Sequence, residues 1–478
     1  MSSKAASTVA KNSIWLVVQP LMLSVLSLFV VGLVARKLGP EEYGVFVFAL
    51  AFTMLFRPVI NMGLRGLMVR AIAEDKSIAD EYLGQTLVLR FVLGILAIGL
   101  TYIFLNLFDY SEKTVQVTMI ASLILLLQSL FTAFHDFFQA FEKMRYVAIS
   151  QFISGCVLSL CTVAAVLAGY GLIEIIIIYV LGNVLTLITC IYYQWKHFKI
   201  PKLRVNINFF AANLKKGFPF FIPQILYTFN SRLGVLMIAD LAGARAVAMY
   251  GAATNLTDKL LVVPEGIGAS IFPAIASLAE GSRDEAVELY RKFSRYILLL
   301  GLPLAAGTTG LSDRVIDFIY GDEYAETAII LSVLIWATFF QFILSIKNWT
   351  LNAMHYEKMT AIVPIITTPI FFIACYFLVV EYGVLGAAIA FLGNCILTFI
   401  VLSVLVNIYI TPKTYPSFFF IRSMIAVIAM YLVIFYLEPY GFLLSFFSAV
   451  IVYLTFIVML RLVDKEELLA VKQLIYKK

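Results

Sequence analysis

The chain has 478 residues, 62% of them hydrophobic and only 13% charged, and a mean hydropathy of +0.96. Soluble globular proteins are nearer half apolar and a quarter charged, so the composition excludes a soluble enzyme or binding domain. The net charge of +6 is explained by where the basic residues lie along the chain, not by a nucleic-acid partner.

Apolar runs of about twenty residues follow one another almost without pause, which reads as a polytopic membrane protein. The runs are continuous, whereas barrel strands would alternate with a period of two, so the class is all-α. The first run, Ile14–Val34, is too long for a signal-peptide core and no small-residue cleavage site follows it. About fourteen candidate spans centre near residues 23, 54, 95, 126, 158, 183, 229, 261, 303, 336, 370, 396, 428 and 451. An even number puts both termini on one side of the membrane.

The positive-inside rule chooses that side. Most of the 35 Lys and Arg fall with the termini; only Arg36, Lys37, Lys113, Arg245 and Arg314 fall opposite. Both ends are therefore expected to be cytoplasmic. Connections are short, and the longest outer one, near 312–325, is acidic (Asp313, Asp317, Asp322, Glu323). No phosphate-binding loop of the G-x-x-x-x-G-K-[ST] type occurs. Cys156, Cys161, Cys190, Cys375 and Cys395 lie in apolar runs without a CxxC and read as small core residues. The three histidines are scattered, so no metal site is read and no resident cofactor is expected.

Four basic residues remain inside spans: Arg57, Arg90, Arg232 and Lys259. A cation at the bilayer centre costs about 2.5–3.5 kcal/mol on insertion scales, so each should face a cavity or a partner. In the second span Thr53, Arg57, Asn61 and Arg65 recur every four residues as one stripe, with Pro58 placed to kink it. Arg90 lies nearer the cytoplasmic end of the third span, where it is read as guiding an anion inward. The fourth span carries Gln128, Thr132, His135 and Gln139 at 4-3-4 spacing, one helical face. Arg232 sits mid-span in the seventh, after Asn230 and Ser231. Lys259 sits mid-span in the eighth, beside Asp258 and one turn after Asn255.

The tenth span repeats the fourth: Gln341, Ser345, Asn348 and Asn352, each offset by 213 residues. Other pairs sit 205–213 apart. YGLIEIIIIYVLGN returns as YGVLGAAIAFLGN, and QAFEKM as NAMHYEKM. LGPEEYG has a looser partner in AGARAVAMYG. Ser77 and Arg90 pair with Ser282 and Arg295, and each serine opens a capping box (Ser77-x-x-Asp80, Ser282-x-x-Glu285). Residues 1–200 and 217–412 are thus expected to be two copies of a six-helix bundle in the same orientation. Residues 201–216 join them as a cytoplasmic interfacial linker, 413–462 add spans 13 and 14, and 463–478 form a cytoplasmic amphipathic tail.

Parallel halves without an ATPase point to a secondary transporter with its site near the midplane between the halves. Arg57, Arg232 and Lys259 against Asp258 leave a basic balance that suits an anion, and guanidinium matches phosphate with paired donors. Arg57 and the Asp258–Lys259 pair also have a purely structural reading. Arg65 and Arg90 have a reading as headgroup snorkels, and the stripes of the fourth and tenth spans one as interhelical hydrogen bonds.

RKLGPEEYGVFVFAL, GLRGLMVRAIAED, MYGAATNLTDKL, FPAIASLAEG, YRKFSRYILLLGLPLAAG and IYGDEY resemble the polysaccharide-transport branch of the multidrug/oligosaccharidyl-lipid/polysaccharide exporter superfamily, the Wzx-like O-antigen and exopolysaccharide repeat-unit flippases. The resemblance covers nearly the whole chain. It implies a multi-pass protein of the cytoplasmic membrane that moves an undecaprenyl-diphosphate-linked oligosaccharide to the outer leaflet by alternating access. It also implies a lipid tail entering between spans 1 and 8, and work alongside membrane lipids and other polysaccharide-assembly proteins. Read from their depth and charge rather than from the resemblance, Arg57, Arg232 and Lys259 hold the diphosphate, with Arg65 and Arg90 nearer the cytoplasmic end. Asn61, Gln128, Gln341 and Asn348 line the glycan path, and Asn255 and Asp258 complete the site. Asp258 is the acid open to proton or sodium coupling. The rivals are a multidrug/cation antiporter, which needs an acidic cavity, and a membrane-embedded polymerase or ligase, which needs a large outer catalytic loop. A scaffold without transport leaves the mid-span arginines unexplained.

Overall fold

The structure, a computed structural model, describes residues 3–108, 110–411 and 417–463, and among them the chain is helical with no strand. The helices are α1 (Ser3–Leu55), α2 (Arg57–Asn61), α3 (Leu64–Glu74), α4 (Ala79–Leu107), α5 (Glu112–Ala140), α6 (Met144–Leu167), α7 (Leu172–His197), α8 (Ile207–Leu241), α9 (Gly243–Leu260), α10 (Val262–Gly281), α11 (Arg283–Gly310), α12 (Ser312–Tyr320), α13 (Thr327–Ala353), α14 (Glu357–Tyr409), α15 (Ser417–Leu437) and α16 (Phe442–Met459).

Ten helical stretches among the described residues are long and apolar enough to cross a membrane, fewer than the fourteen or so spans expected. Two of the ten, Met22–Glu74 and Glu357–Tyr409, are 53 residues each. At 1.5 Å per residue that is about 80 Å, far more than a ~30 Å hydrocarbon core. Each contains a residue outside helical geometry, Gly39 (φ 72°, ψ 169°) before Pro40 and Gly383 (φ 57°, ψ −133°). α8 and α11 are not among the ten; Gln224, Asn230 and Arg232 in one and the charged first half of the other reduce their apolar character.

The second predicted span is not one helix. Pro58 has no N–H to continue the α1 ladder, and α1 stops at Leu55. α2 then runs for five residues and ends on Met62 (φ 38°) and Gly63 (φ 70°), both left-handed, before α3 begins. Gly63 is required here: a Cβ would lie 2.4 Å from the Gly217 carbonyl oxygen of α8.

The interfacial linker helix expected over NINFFAANLKK is likewise not separate, because α8 runs from Ile207 to Leu241 as one helix, its start capped by Asn206 on the Phe209 N–H at 3.1 Å. The capping box at Ser77 is replaced by Asp75, whose carboxylate accepts from the Ser77 N–H at 2.8 Å. Hydrogen bonds from Ser77, side chain and backbone, hold the exposed Asp75 carboxyl below its ordinary value. Ser282 does cap α11, accepting from the Glu285 N–H. The amphipathic tail beyond residue 463 lies outside the described residues.

The chain packs as two compact units, Met1–Val262 with Pro364–Ala387, and Val263–Val363 with Ala388–Lys478. In the first, α3 to α7 converge on Met68, Ile72, Leu83, Phe134, Phe137, Phe138 and Cys190, all buried. The stretch of α1 beyond Gly39 lies against α9, with Gly44 on the Ala244 carbonyl and Val47 on Gly251. These are the segments LGPEEYG and AGARAVAMYG paired by the sequence repeat. In the second unit α11, α15 and α16 surround an apolar cavity of about 760 Å³ lined by Phe293, Leu300, Pro303, Met430, Phe446 and others; Tyr453 at its edge donates to the Leu299 carbonyl at 2.6 Å.

Candidate functional site

A cavity of about 740 Å³ opens within the first unit, walled by α2, α3, α5, α6 and α8. Four sequence-predicted residues line it: Arg57, Asn61, Arg65 and Gln128. Arg70, Thr132, His135, Asp136, Gln139, Gln151 and Gln224 complete its polar wall. The stripe expected on a straight helix survives only in part. Thr53 is buried in α1 with its hydroxyl unpartnered among the described residues, because the break at Phe56 turns the chain between Thr53 and Arg57.

Arg57 stands exposed on the cavity wall. Among the described residues it makes no hydrogen bond or ion pair, and the charges that act on it are those of Arg232 and Arg65. Arg65 and Arg232 each have a carboxylate near by, Asp136 at 3.6 Å and Asp258 at 3.8 Å, so Arg57 is the one of the three guanidiniums left without an acid among the described residues.

Arg90 requires a correction. It neither snorkels nor lines the cavity; it is fully buried in α4. Its Nη2 donates to Asp136 Oδ2 at 2.5 Å and its Nη1 to Thr132 Oγ1 at 2.7 Å, both on α5. A guanidinium with no exposed surface cannot meet a ligand, so Arg90 acts on the wall from behind. Asp136 also faces Arg65, whose Nε lies 3.6 Å from Oδ1, while Arg65 Nη2 donates to Gln139 Oε1 at 3.0 Å. Asp258 is therefore not the only acid near the arginines. The 4-3-4 pattern steps from Thr132 to His135 and so passes over Asp136. Asp136 is one turn after Thr132 on the same face, and the unpaired Arg90 was the signal that an acid had to be there. His135 is held by Ser150, Nε2 to Oγ at 3.0 Å.

Arg232 on α8 and Asp258 on α9 pair at 3.8 Å, Nη1 to Oδ2. Lys259 is half-buried beside them, with Asp258 as its charged neighbour. Asn255, one turn earlier, has a buried Oδ1 unpartnered among the described residues. These four belong to the same unit as Arg57 but do not line the 740 Å³ cavity. Gln341 and Asn348 sit half-buried on α13 in the second unit. Lys347, counted with the cytoplasmic charges in the sequence, is 3% exposed, its ammonium 5.2 Å from the Phe399 ring centre.

The fold and the cavity define a multi-pass helical membrane protein with a basic polar chamber in one unit. The family model described as polysaccharide biosynthesis protein matches residues 9–279, more than half of the chain, and the chain belongs to that family. The MatE model matches residues 219–377. A Shigella flexneri protein named as an O-antigen transporter is 24% identical, covering 80% of this chain and 94% of its own length. The capsular polysaccharide biosynthesis protein CapF of Staphylococcus aureus is 22% identical over 77% of this chain and 92% of its own. Among solved structures, the lipid II flippase MurJ in an inward closed conformation superposes with a TM-score of 0.76 at 19% identity, covering 93% of this chain and 98% of that one. An inward-facing multidrug resistance MATE transporter gives 0.67 at 14% identity, covering 84% and 98%. At these identities the structural likeness speaks for the fold.

Proposed function

We propose that this protein is a flippase that carries a lipid-diphosphate-linked oligosaccharide from the cytoplasmic to the outer leaflet by alternating access, for cell-surface polysaccharide synthesis. The observation that carries the reading is Arg57: a guanidinium on the wall of a polar cavity that it shares with Arg65, without a counter-ion among the described residues. A diphosphate supplies the missing negative charge and the paired acceptors that guanidinium recognises. The amides of Asn61, Gln128, Gln139, Gln151 and Gln224 offer both donors and acceptors to sugar hydroxyls. Relatives named for O-antigen, capsule and glycan transport support the substrate class.

The topology proposed with this function has about fourteen crossings. The two 53-residue stretches cross twice each about Gly39 and Gly383, α8 and α11 also cross, and both termini are cytoplasmic. Two six-helix copies, an undecaprenyl carrier, assembly-protein partners and proton or sodium coupling at Asp258 belong to the same proposal. No covalent chemistry is assigned. The MatE match raises the cation-antiporter alternative, but a cationic drug would meet Arg57, Arg65 and Arg70 on this wall against the single carboxylate of Asp136.

The test is Arg57→Ala and Arg57→Lys at matched membrane abundance, assaying delivery of lipid-linked glycan to the outer leaflet in a flippase-deleted host. The Ala variant should lose delivery about 10- to 150-fold, the cost of a charge-assisted hydrogen bond of about 1.5–3 kcal/mol, and the Lys variant should recover part of it. Normal delivery by Arg57→Ala would sink the anion reading while leaving the family and fold as they are.

A further inference from the structure

Asp136 holds two guanidiniums in different ways. Arg90 has no exposed surface and its bond to Oδ2 is short, 2.5 Å. Arg65 is 68% exposed, and its Nε lies 3.6 Å from Oδ1, too long for a hydrogen bond. The first pair is buried; the second has its arginine in the cavity, open to whatever enters it. Arg65 Nη2 also donates to Gln139 at 3.0 Å, so the guanidinium has a second tether on α5 besides the carboxylate.

We infer that Asp136 is the resident counter-anion of Arg65: in the empty cavity its carboxylate occupies this guanidinium, and a phosphate group must displace it in order to bind there. Arg57 has no such occupant, so the two cavity arginines differ in kind. Arg57 is open to any anion, while Arg65 yields only to one that competes with a carboxylate already in place. Asp136 is thus a positioning residue that acts through Arg65 and favours a group with several charged oxygens over a weakly held monoanion. The inference rests on the anion reading of the cavity proposed above.

Arg90→Met combined with Asp136→Asn tests it, because removing both buried charges keeps the net charge and avoids stranding one of them. Affinity for inorganic pyrophosphate is measured on the full chain in lipid nanodiscs at fixed ionic strength. The pair variant should bind about three- to fivefold more tightly than wild type, the range of an exposed ion pair. Adding Arg65→Gln should abolish that gain, which a merely structural role for Asp136 would not predict. Equal affinity in wild type and pair variant, or a gain that survives Arg65→Gln, overturns the inference.

The anion reading is judged separately by Arg57→Gln. If that variant binds normally while the pair variant still gains through Arg65, the Arg57 site falls and the inference stands. Absence of pyrophosphate binding in every protein overturns both. Should the pair variant not accumulate, the single variants decide. Arg65→Gln must then cost less affinity than Arg57→Gln, since Arg65 spends part of its charge on Asp136, and an equal or larger loss overturns the inference.

Discussion

The stretch Gln128–Gln139 on α5 and the stretch Gln341–Asn352 on α13 share a polar frame 213 residues apart and use it in opposite ways. In the first, the position of Phe134 is apolar and buried, and the position of Asp136 carries a charge at a cavity edge. In the second, the matching positions are Lys347 and Trp349, a buried ammonium and an indole stacked edge-on with Phe272 at 5.7 Å. The arginine that leads into each stretch follows suit. Arg90 meets Asp136 and Thr132 through its two terminal nitrogens, whereas Arg295 meets a backbone carbonyl, Leu462 O at 3.3 Å, and the Phe419 ring at 4.9 Å. The two stretches share their polar spacing but not the charges beside it, and of the two only α5 carries a buried arginine–carboxylate pair.

The largest test of that contrast is Arg90→Leu against Arg295→Leu. Leaving Asp136 only its 3.6 Å contact with the exposed Arg65 should cost about 3 kcal/mol or more. Loss of one carbonyl bond and one aromatic contact in the second should cost about 1–2 kcal/mol. Thermal unfolding in detergent and membrane abundance read the difference, and equal losses would break the comparison. Next comes Lys347→Met. No acid pairs with Lys347 among the described residues, so the apolar side chain should raise stability by about 1 kcal/mol; a clear fall in the unfolding midpoint would mean the ammonium has a role on α13.

The smallest effect is at the helix starts, where Asp75 stands before one repeat-related helix and Ser282 before the other. The folded value of Asp75 is depressed, so its contribution is present at neutral pH and is lost as pH falls through and below the ordinary carboxylate range, about 4. Asp75→Asn should therefore lower the midpoint at pH 7 and leave it unchanged in acid. Ser282→Ala should cost about 0.5–1 kcal/mol at either pH. A pH-independent Asp75→Asn effect would show that the carboxylate is not the capping group.

Much of this was legible in the chain. The helical class follows from continuous apolar runs, and the frame common to α5 and α13 from polar residues too scarce to coincide by chance. Arg57 drew attention because an unpaired guanidinium is costly in mid-span, and it does line the cavity beside Asn61, Arg65 and Gln128. What escaped was tertiary. Depth along a helix does not say whether Arg90 points into a chamber or into the helix behind it. A periodic pattern fitted to one face passed over Asp136. Pro58 signalled a kink, but the left-handed pair Met62–Gly63, set by close contact with Gly217, depends on a residue some 150 positions away.

That jointed wall changes what the cavity can measure. Eight residues along an unbroken helix would hold Arg57 and Arg65 at a fixed rise of about 12 Å. Here they ride on different short rods, α2 and α3, with a left-handed elbow between them. Their separation is set by the dihedral angles of two residues, so the spacing of the two cations along the cavity wall is fixed at the Met62–Gly63 elbow and, through its contact with Gly217, by α8.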